Sequence, residues 1–468
     1  MAEKKSATKE LKDKLFYEQK NGYDRIDVKE RLALERYCEA YKTFLNDART
    51  EREAVRNAIA QAEEQGFVPF TPGMELTPGM KLYRSNRGKA LLLAVVGKKP
   101  LSDGANIAAA HVDAPRLDLK PLPLYEDNEL AYLKTHYYGG IKKYQWVTIP
   151  LELHGVVSLK TGETVEVVIG RDPDDPQLVI TDLLPHLAAD QMQKKASEVI
   201  PGENLNLLIG SVPYDGEDKD RVKLAVMSLL FDRYGITEED FLSAELEVVP
   251  GFEVRDIGLD RSLIGGYGHD DRVCAFAELK AIFDLEDPER TAVCILADKE
   301  EIGSTGSTGM QSDAFECFIA DLCAAQGVEP RRCMERSFCI SADVCNGFDP
   351  IYPEVHEKRN NAKLNYGVGI CKYTGARGKS GTNDADAETV GLLRGIFADA
   401  GVVWQMAELG KVDQGGGGTV AMFMGRRNIS TIDAGVPVLS MHAPFEVVSK
   451  FDCYMTYKAV KAVYELNK

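Results

Sequence analysis

The stretch TAVCILADKEEIGSTGSTG, residues 291–309, joins an apolar run to two adjacent carboxylates and a turn rich in glycine, serine and threonine. The run TAVCILA predicts a buried strand, because short, nearly continuous apolar runs are typical of parallel sheets covered on both faces. Two buried carboxylates, Glu300 and Glu301, are costly unless a positive charge lies near them. A metal centre would supply that charge, and a solvated junction between strand and loop is the alternative.

Three more apolar runs each end in a residue that can bind a metal ion. ANIAAAHVD (105–113) leads to His111, SFCISADV (337–344) leads to Asp343, and VPVLSMHAP (436–444) leads to His442. Ligands of open α/β sheets bind at the carboxyl ends of the strands. The four runs therefore predict one sheet whose strand ends bring histidine, aspartate and glutamate together. If the strand of residues 291–297 continues, Glu300 and Glu301 point to opposite sides of it and need not share a role.

The bulk properties describe a globular protein with an acidic surface. A chain of 468 residues predicts two domains, and 44% hydrophobic with 28% charged residues is an ordinary composition. The net charge of −17 argues against nucleic acid or an anionic membrane as a partner, because both require a cationic face. The charged N-terminal stretch lacks an apolar signal core, and the longest apolar run, ALLLAVV (90–96), is too short to span a bilayer.

The ten cysteines are expected to be reduced core residues. Most of them lie inside apolar runs, as do Cys274, Cys294 and Cys339, and the chain has no CxxC pair. Without an export signal, this usage predicts a cytoplasmic protein, and the spacing argues against zinc held by thiolates.

Local patterns predict an α/β fold with an insert. Residues 8–65 have helical spacing of apolar positions, residues 66–80 with their three prolines form a loop, and residues 81–113 give two strands. Residues 148–170 alternate apolar and polar side chains around a KTGE turn, which predicts an antiparallel hairpin. Residues 219–234 form a helical stretch.

From GGYGHDD (265–271) onward, strand and helix patterns alternate to the end of the chain. We therefore predict a mixed, mostly parallel sheet flanked by helices, formed by residues 1–114 and 253–468, and a β-rich domain of residues 115–252 inserted into it. A paired metal site needs a ligand that reaches both ions, and a carboxylate can do this. Asp270 and Asp271 are candidates, with capping of the following helix as the alternative role.

Six sequence blocks carry a resemblance to a known family. They are HVDAPRLD (111–118), GYGHDDR (266–272), DKEEIGSTG (298–306), SADV (341–344), DQGGGGT (413–419) and SMHAP (440–444). In this order and spacing they resemble the aspartyl aminopeptidases, in particular the bacterial branch of these two-zinc enzymes, which assemble as tetrahedral dodecamers. The resemblance spans nearly the whole chain. It implies a zinc-exopeptidase-like fold, an insert that serves dimerisation and oligomerisation, and a homo-oligomer built from dimers, up to a tetrahedral dodecamer.

The resemblance also implies a ligand set for two zinc ions per subunit, with cobalt or manganese as possible substitutes. The implied ligands are His111, Asp270, Glu301, Asp343 and His442. His111 would bind one zinc ion and Asp270 would bridge both. Glu301 and His442 would complete the shell of one ion, and Asp343 that of the partner ion.

Three further residues receive catalytic roles from the resemblance. Glu300 would be the general base, and Asp113 would orient the imidazole of His111. His186 resembles the histidine that such enzymes bring in from a neighbouring subunit to steady the tetrahedral intermediate. Sequence alone does not decide which of Glu300 and Glu301 is base and which is ligand, so that assignment depends on the resemblance.

Two segments are candidates for substrate recognition. In YTGARGKSGTNDADAE (373–388), Arg377 or Lys379 would hold the side-chain carboxylate of an acidic substrate, and a solvated loop is the alternative. Acidic and neutral N-terminal residues, leucine for example, both remain open as the preferred substrate. Gly416, within the glycine quartet 415–418, would let the backbone approach the substrate closely, and a flexible turn is the alternative.

The sequence thus predicts a metal-dependent aminopeptidase that acts on peptide substrates. A carboxypeptidase or deacylase on the same di-zinc scaffold is the stronger alternative, since it shares the metal site but binds the opposite end of its substrate. GARGKSG (375–381) resembles a phosphate-binding loop, yet the Walker pattern requires glycine where Tyr373 stands. A non-catalytic assembly protein would lack Glu300, which is present.

Overall fold

The computed structural model describes residues 2–216, 219–375 and 377–467, and within these ranges it has ten α-helices and twenty β-strands. The helices are α1 (Ala2–Leu15), α2 (Val28–Asp47), α3 (Glu51–Glu64), α4 (Arg221–Tyr234), α5 (His269–Phe283), α6 (Ala314–Ala324), α7 (Pro330–Glu335), α8 (Ala387–Asp399), α9 (Val420–Arg426) and α10 (Lys450–Tyr464). No helix of these described ranges is long and apolar enough to cross a membrane.

The strands are β1 (Val68–Pro69), β2 (Lys81–Asn86), β3 (Ala90–Val95), β4 (Asn106–His111), β5 (Arg116–Asp127), β6 (Leu130–Tyr138), β7 (Leu151–Ser158), β8 (Thr164–Ile169), β9 (Asn206–Gly210), β10 (Ala244–Pro250), β11 (Arg255–Ile257), β12 (Leu263–Gly266), β13 (Ala292–Ala297), β14 (Phe338–Ser341), β15 (Cys345–Asn346), β16 (Val368–Cys371), β17 (Trp404–Met406), β18 (Ser430–Gly435), β19 (Pro437–Leu439) and β20 (Glu446–Ser449). They form three sheets of nine, six and five strands.

The nine-stranded sheet has the order β1-β2-β3-β13-β4-β14-β18-β16-β17. Five of its eight neighbouring pairs are parallel, including all pairs among the central strands β13, β4, β14 and β18. Every residue of β3, β4 and β13 is buried, since α5 and α10 pack on one face and α6 and α9 on the other. The predicted mixed, mostly parallel sheet between helices is confirmed.

The six-stranded sheet lies between residues 116 and 250 and is antiparallel throughout, in the order β8-β7-β10-β5-β6-β9. β7 and β8 form the predicted hairpin, and α4 packs on the sheet over an apolar core that includes Trp146 and Val222. These strands fall inside the range predicted for the insert. The exact division of the chain into two folding units stays a prediction.

The five-stranded sheet, β11-β12-β20-β19-β15, corrects one part of the sequence interpretation. The run that leads to His442 was expected in the same sheet as the other three, but its strand β19 pairs with β15 and β20 instead. The chain leaves the main sheet at Gly435, where a Cβ atom would lie 2.0 Å from the carbonyl oxygen of Asp343. Only glycine permits this close approach, and the chain then turns into the smaller sheet.

Two local predictions were too coarse. Residues 8–65 are not one helical region, because α1, α2 and α3 are separated by residues 16–27 and 48–50. Thr50 starts α3 with a capping box in which its side chain and that of Glu53 exchange backbone hydrogen bonds. Residues 81–113 hold three strands rather than two, because a turn splits their first part into the antiparallel pair β2 and β3.

Buried ionic contacts join α3 to the six-stranded sheet. The ring of His154 in β7 donates from Nδ1 to Glu53 of α3 at 2.8 Å and from Nε2 to Glu152 at 3.0 Å. Burial lowers the pKa of His154, but the hydrogen bonds to Glu152 and Glu53 outweigh that effect and raise it above its usual range. The imidazolium form is therefore the one that stabilises this contact.

We predict that the stabilisation by His154 depends on pH. Because the pKa is raised in the folded protein, the contribution is fully present below the unfolded value of about 6.5 and is lost as the pH rises through the folded value. The difference in thermal unfolding midpoint between wild type and His154→Gln should therefore be largest below about pH 6.5 and shrink as the pH rises above it. His136→Gln, at an exposed site in β6, is the control and should show no such trend. A difference that grows with pH would contradict the assignment.

Candidate metal centre

The metal-binding candidates converge because three strands of the main sheet end at one edge. Ala297, the last residue of β13, lies beside His111, the last residue of β4. Ser341, the last residue of β14, pairs with Ala109, so Asp343 follows two residues later at the level of His111. Parallel register thus places these strand ends side by side, as the apolar runs predicted.

Asp270 occupies the middle of the cluster. Its Oδ1 lies 3.2 Å from Nε2 of His111, and its Oδ2 lies 3.2 Å from Nε2 of His442. The peptide bond between Asp270 and Asp271 is cis, and both residues have non-helical backbone angles at the start of α5. No side chain caps this helix, so the capping alternative for the two aspartates finds no support.

Glu300 and Glu301 both face the same cluster. Oε2 of Glu301 lies 3.6 Å from Nε2 of His442, and Oε2 of Glu300 lies 3.9 Å from Nε2 of His111. The expectation that they sit on a strand and point to opposite sides is wrong. Lys299 has a positive φ of 66° that ends the extended chain, and residues Glu300–Ile302 form a 3₁₀ turn. A turn, unlike a strand, can direct both neighbours into one site.

The donor atoms form two overlapping groups that could each hold a metal ion. His111, Asp270 and Glu301 make one group, and His111, Asp271 and Asp343 make the other, with all ligand atoms of a group within 4.8 Å of one another. The buried atoms Oε1 of Glu301 and Oδ1 of Asp271 have no hydrogen-bond partner among the residues that the structure describes. Imidazole nitrogens and carboxylate oxygens are ligands that zinc accepts, so the residues fit this ion.

The electrostatics of the cluster favour a cation. Burial and the carboxylates of Asp113 and Asp270 raise the pKa of Glu300 to about 7. The pKa values of Glu301 and Asp343 are raised well above their usual range, again by burial first and then by nearby carboxylates. Crowded buried carboxylates repel one another, and a divalent ion would relieve that repulsion.

The pKa values of the two imidazoles are raised as well, because nearby carboxylates stabilise the charged form of each ring. Burial lowers the pKa of His442, but Asp270 and Glu301 more than compensate and raise it to about 10. The pKa of His111 is likewise raised, against the effect of burial, by Asp113 and Asp270. Both shifts report how strongly negative this cluster is.

Asp113 holds two parts of the site, namely the imidazole of His111 and the backbone at Glu300 and Glu301. Nδ1 of His111 donates to the carbonyl oxygen of Asp113 at 2.9 Å, while the carboxylate Oδ1 lies 3.3 Å from the same nitrogen. The carboxylate accepts hydrogen bonds from the backbone N–H groups of Glu300 at 3.1 Å and Glu301 at 3.2 Å. Asp113 therefore fixes both the imidazole and the turn that carries the glutamates.

Glu446 is a site residue that the sequence interpretation missed. This buried carboxylate of β20 accepts from the backbone N–H of Asp270 at 3.1 Å and from that of His442 at 2.7 Å. It thus ties together two candidate ligands that are far apart in the chain. The available signal was an acidic residue between Phe445 and the valines of an apolar strand. Asp271, for which the sequence left metal binding and capping open, also contributes, because its Oδ2 accepts from the N–H of His111 at 3.3 Å.

The structure does not bring the other predicted residues to the cluster. His186 lies in an exposed 3₁₀ turn, and within the described part of the chain it makes no hydrogen bond or ion pair with the metal-binding candidates. Arg377 and Lys379 are exposed, and Lys379 pairs with Asp384 at 3.0 Å. Because β16 runs antiparallel to β18, the segment that follows β16 and carries Arg377 and Lys379 starts away from the strand end that carries His111.

Gly416 has a positive φ of 88°, which suits glycine, and its neighbour Gly417 donates to the carbonyl oxygen of Thr374 at 3.0 Å. The two segments predicted for substrate recognition therefore lie against each other. Their role toward a substrate stays a prediction. The segment that resembles a phosphate-binding loop is not followed directly by a helix, since α8 begins only at Ala387.

Comparison with known proteins agrees with this geometry. The family described as "Aminopeptidase I zinc metalloprotease (M18)" matches residues 44–464. A probable M18 family aminopeptidase 1 from Clostridium acetobutylicum is 49% identical over 457 residues, which are 96% of this chain and 98% of that protein.

Solved structures lead to the same family. The crystal structure of an M18 aminopeptidase from Thermotoga maritima superposes with a TM-score of 0.92 at 46% identity, covering 96% of this chain and all of that one. The S. cerevisiae mApe1 dodecamer is only 18% identical and shares the fold, with a TM-score of 0.74 over 91% of this chain and 96% of that one. The resemblance that the six sequence blocks carry is thereby confirmed, and the chain belongs to the M18 family of zinc metalloproteases.

Proposed function

We propose that this metal-dependent aminopeptidase holds two zinc ions at His111, Asp270, Glu301, Asp343 and His442, with Glu300 as general base. The observation that carries the proposal is the position of Asp270, whose two carboxylate oxygens each lie 3.2 Å from a different imidazole. A carboxylate with one oxygen toward each histidine is suited to bridge two ions. The two candidate ligand groups, which share His111, support a paired site.

The ligands divide between the two ions according to their neighbours. His442 and Glu301 are 3.6 Å apart and would serve one ion, while His111 and Asp343 belong to one ligand group and would serve the other. Asp271 belongs to that second group, but its Oδ2 already accepts the backbone N–H of His111. Asp271 therefore positions His111 through Oδ2, and its Oδ1 stays a candidate ligand atom for the same ion.

Glu300 has the properties of a general base. Bound zinc lowers the pKa of a water molecule to about 7 and polarises a carbonyl group. Glu300 lies beside His111 and is not needed as a ligand in this assignment, so its carboxylate can take a proton from water and return it to the leaving amine. Its side chain is 17% exposed, whereas that of Glu301 is 4% exposed, so Glu300 is the more accessible of the two.

We further propose that the chain works as a homo-oligomer built from dimers, with the β-rich insert of residues 115–252 as contact surface. The insert segment around His186 exposes Leu183, Leu184, Leu187 and Met192, which is an apolar surface suited to another protein. The related S. cerevisiae protein is a dodecamer. In such an assembly, His186 would enter the site of a neighbouring subunit.

The substrates that we propose are peptides with a free N-terminus. The roles of Arg377, Lys379 and Gly416 in choosing an acidic or a neutral first residue belong to the same proposal. A cytoplasmic location agrees with ten unpaired cysteines, nine of them buried.

Removing a ligand should remove metal. His111→Ala and Asp270→Asn should lower zinc content from about two ions per chain to about one or fewer, because each residue contacts the shared part of the site. Elemental analysis after dialysis against a weak chelator measures this. His136→Ala, a change at an exposed histidine outside the cluster, is the control and should keep wild-type zinc. Full zinc content in both ligand variants would contradict the assigned centre.

Glu300→Gln should separate catalysis from metal binding. The amide cannot accept a proton, so kcat should fall by about 10²-fold or more while zinc content stays near wild type. Steady-state assays with an aminoacyl chromogenic substrate, run beside elemental analysis, measure both quantities. Retention of most activity would exclude Glu300 as the base.

The requirement for a free amine tests the aminopeptidase reaction against the carboxypeptidase and deacylase alternatives. A peptide with a free N-terminus should be cleaved, and the same peptide with an acetylated N-terminus should be cleaved at least about 10²-fold more slowly, because acetylation removes the charged amine that an aminopeptidase must bind. Mass spectrometry of the products identifies the end that is released. Faster cleavage of the acetylated peptide, or release from the C-terminus, would favour the alternatives.

A further inference from the structure

Three residues, the first of them the last residue of a strand in the six-stranded sheet, reach the metal centre from outside the main sheet. They are residues 138–140, at the end of β6 and just beyond it, which we call the 138–140 segment. The catalytic roles discussed so far leave this segment unused. Each of its three residues nevertheless touches a different side chain of the proposed centre.

Tyr138 contacts the carboxylate that organises the site. Its hydroxyl group donates to Oδ2 of Asp113 at 2.8 Å, on the same oxygen that accepts the backbone N–H of Glu301. The ring is buried, and the guanidinium of Arg116 lies 4.0 Å from the ring centroid. Arg116 is in turn held by Asp118 at 2.8 Å and by Glu247 at 3.2 Å. The buried ring and the neighbouring guanidinium thus hold the Tyr138 hydroxyl group against Asp113.

Gly140 contacts the second imidazole. Its carbonyl oxygen accepts a hydrogen bond from Nδ1 of His442 at 2.9 Å. A proton fixed on Nδ1 leaves the lone pair on Nε2, and Nε2 is the nitrogen that faces Asp270 and Glu301. A hydrogen bond of this kind selects the tautomer that can bind a metal ion.

Gly139 packs against Glu301. It has a positive φ of 73°, and a Cβ atom at this position would lie 3.3 Å from both Cβ and Oε2 of Glu301. The glycine thus permits a close approach between the segment and a candidate ligand. A side chain here would push Glu301 away from the cluster.

We propose that the 138–140 segment is a positioning element of the metal centre, acting through Asp113, Glu301 and His442. This inference rests on the proposed function, since it assumes that these side chains form the centre. It gives the six-stranded sheet a role within each subunit, in addition to its proposed role in assembly. The segment binds neither metal nor substrate, and it sets the orientation of the groups that do.

Tyr138→Phe tests the contact with Asp113, because it removes one hydroxyl group and keeps the ring. Loss of such an outer hydrogen bond should lower zinc affinity by about 10–100-fold, measured by competition with a chromogenic chelator. It should also change the visible spectrum of the cobalt-substituted protein and lower kcat while KM changes less than about twofold. Tyr137→Phe, the neighbouring tyrosine with an exposed side chain, is the matched control and should match wild type in all three measurements.

Gly139→Ala tests the contact with Glu301. Its control is a glycine that also has a positive φ angle. Gly162, in the hairpin turn of β7 and β8, also has a positive φ, of 88°, but a Cβ atom there would meet nothing within 4 Å. Both alanine variants carry the same kind of backbone strain, so the thermal unfolding midpoints of both metal-free proteins should fall. Only Gly139→Ala should lower zinc affinity and alter the cobalt spectrum.

The outcomes separate this inference from the proposed function. If wild type and His111→Ala bind zinc equally, the proposed centre is wrong, and the inference is overturned with it. If His111→Ala loses zinc but Tyr138→Phe and Gly139→Ala match their controls in zinc affinity, cobalt spectrum and kcat, the centre stands and only the positioning role is overturned. Reduced affinity and a changed spectrum in both variants, with controls unaffected, support the role.

Discussion

The central constraint on this structure is the crowding of carboxylates at one edge of a parallel sheet. Glu300, Glu301, Asp270 and Asp343 meet there with little access to water, and such a group of like charges is costly to bury. Two imidazoles offset part of the charge, which explains why their pKa values are raised. A pair of zinc ions would displace the protons of these imidazoles and offset the carboxylates instead, so metal binding should add directly to the stability of the fold.

Carboxylates also hold the backbone of the centre together. Asp113 binds the N–H groups of Glu300 and Glu301, and Glu446 binds those of Asp270 and His442. These hydrogen bonds connect the main sheet, the start of α5 and the five-stranded sheet. The positions of the metal-binding side chains thus depend on charges that do not themselves face a metal ion, a division of roles that metal sites commonly use.

Sequence reasoning found the parts of the site that depend on strand ends. His111 and Asp343 could be predicted because runs buried on both faces are nearly continuous and end sharply at polar residues. The path to His442 could not, because it depends on the close approach at Gly435 and on positive φ angles at Ser440 and His442. Tyr138 and Glu446 look like ordinary strand residues in the sequence.

The buried charges behind Tyr138 support a positioning role for this part of the insert. Arg116 is almost fully buried and is faced by carboxylates of Glu51, Asp118 and Glu247. Buried ion pairs of this kind add little net stability, because desolvation offsets most of the attraction. Their effect on geometry is larger, since they fix the guanidinium over the Tyr138 ring and so fix the hydroxyl group against Asp113. The turn that carries Glu300 and Glu301 is thus linked, through Asp113 and Tyr138, to an arginine that lies outside the candidate metal centre.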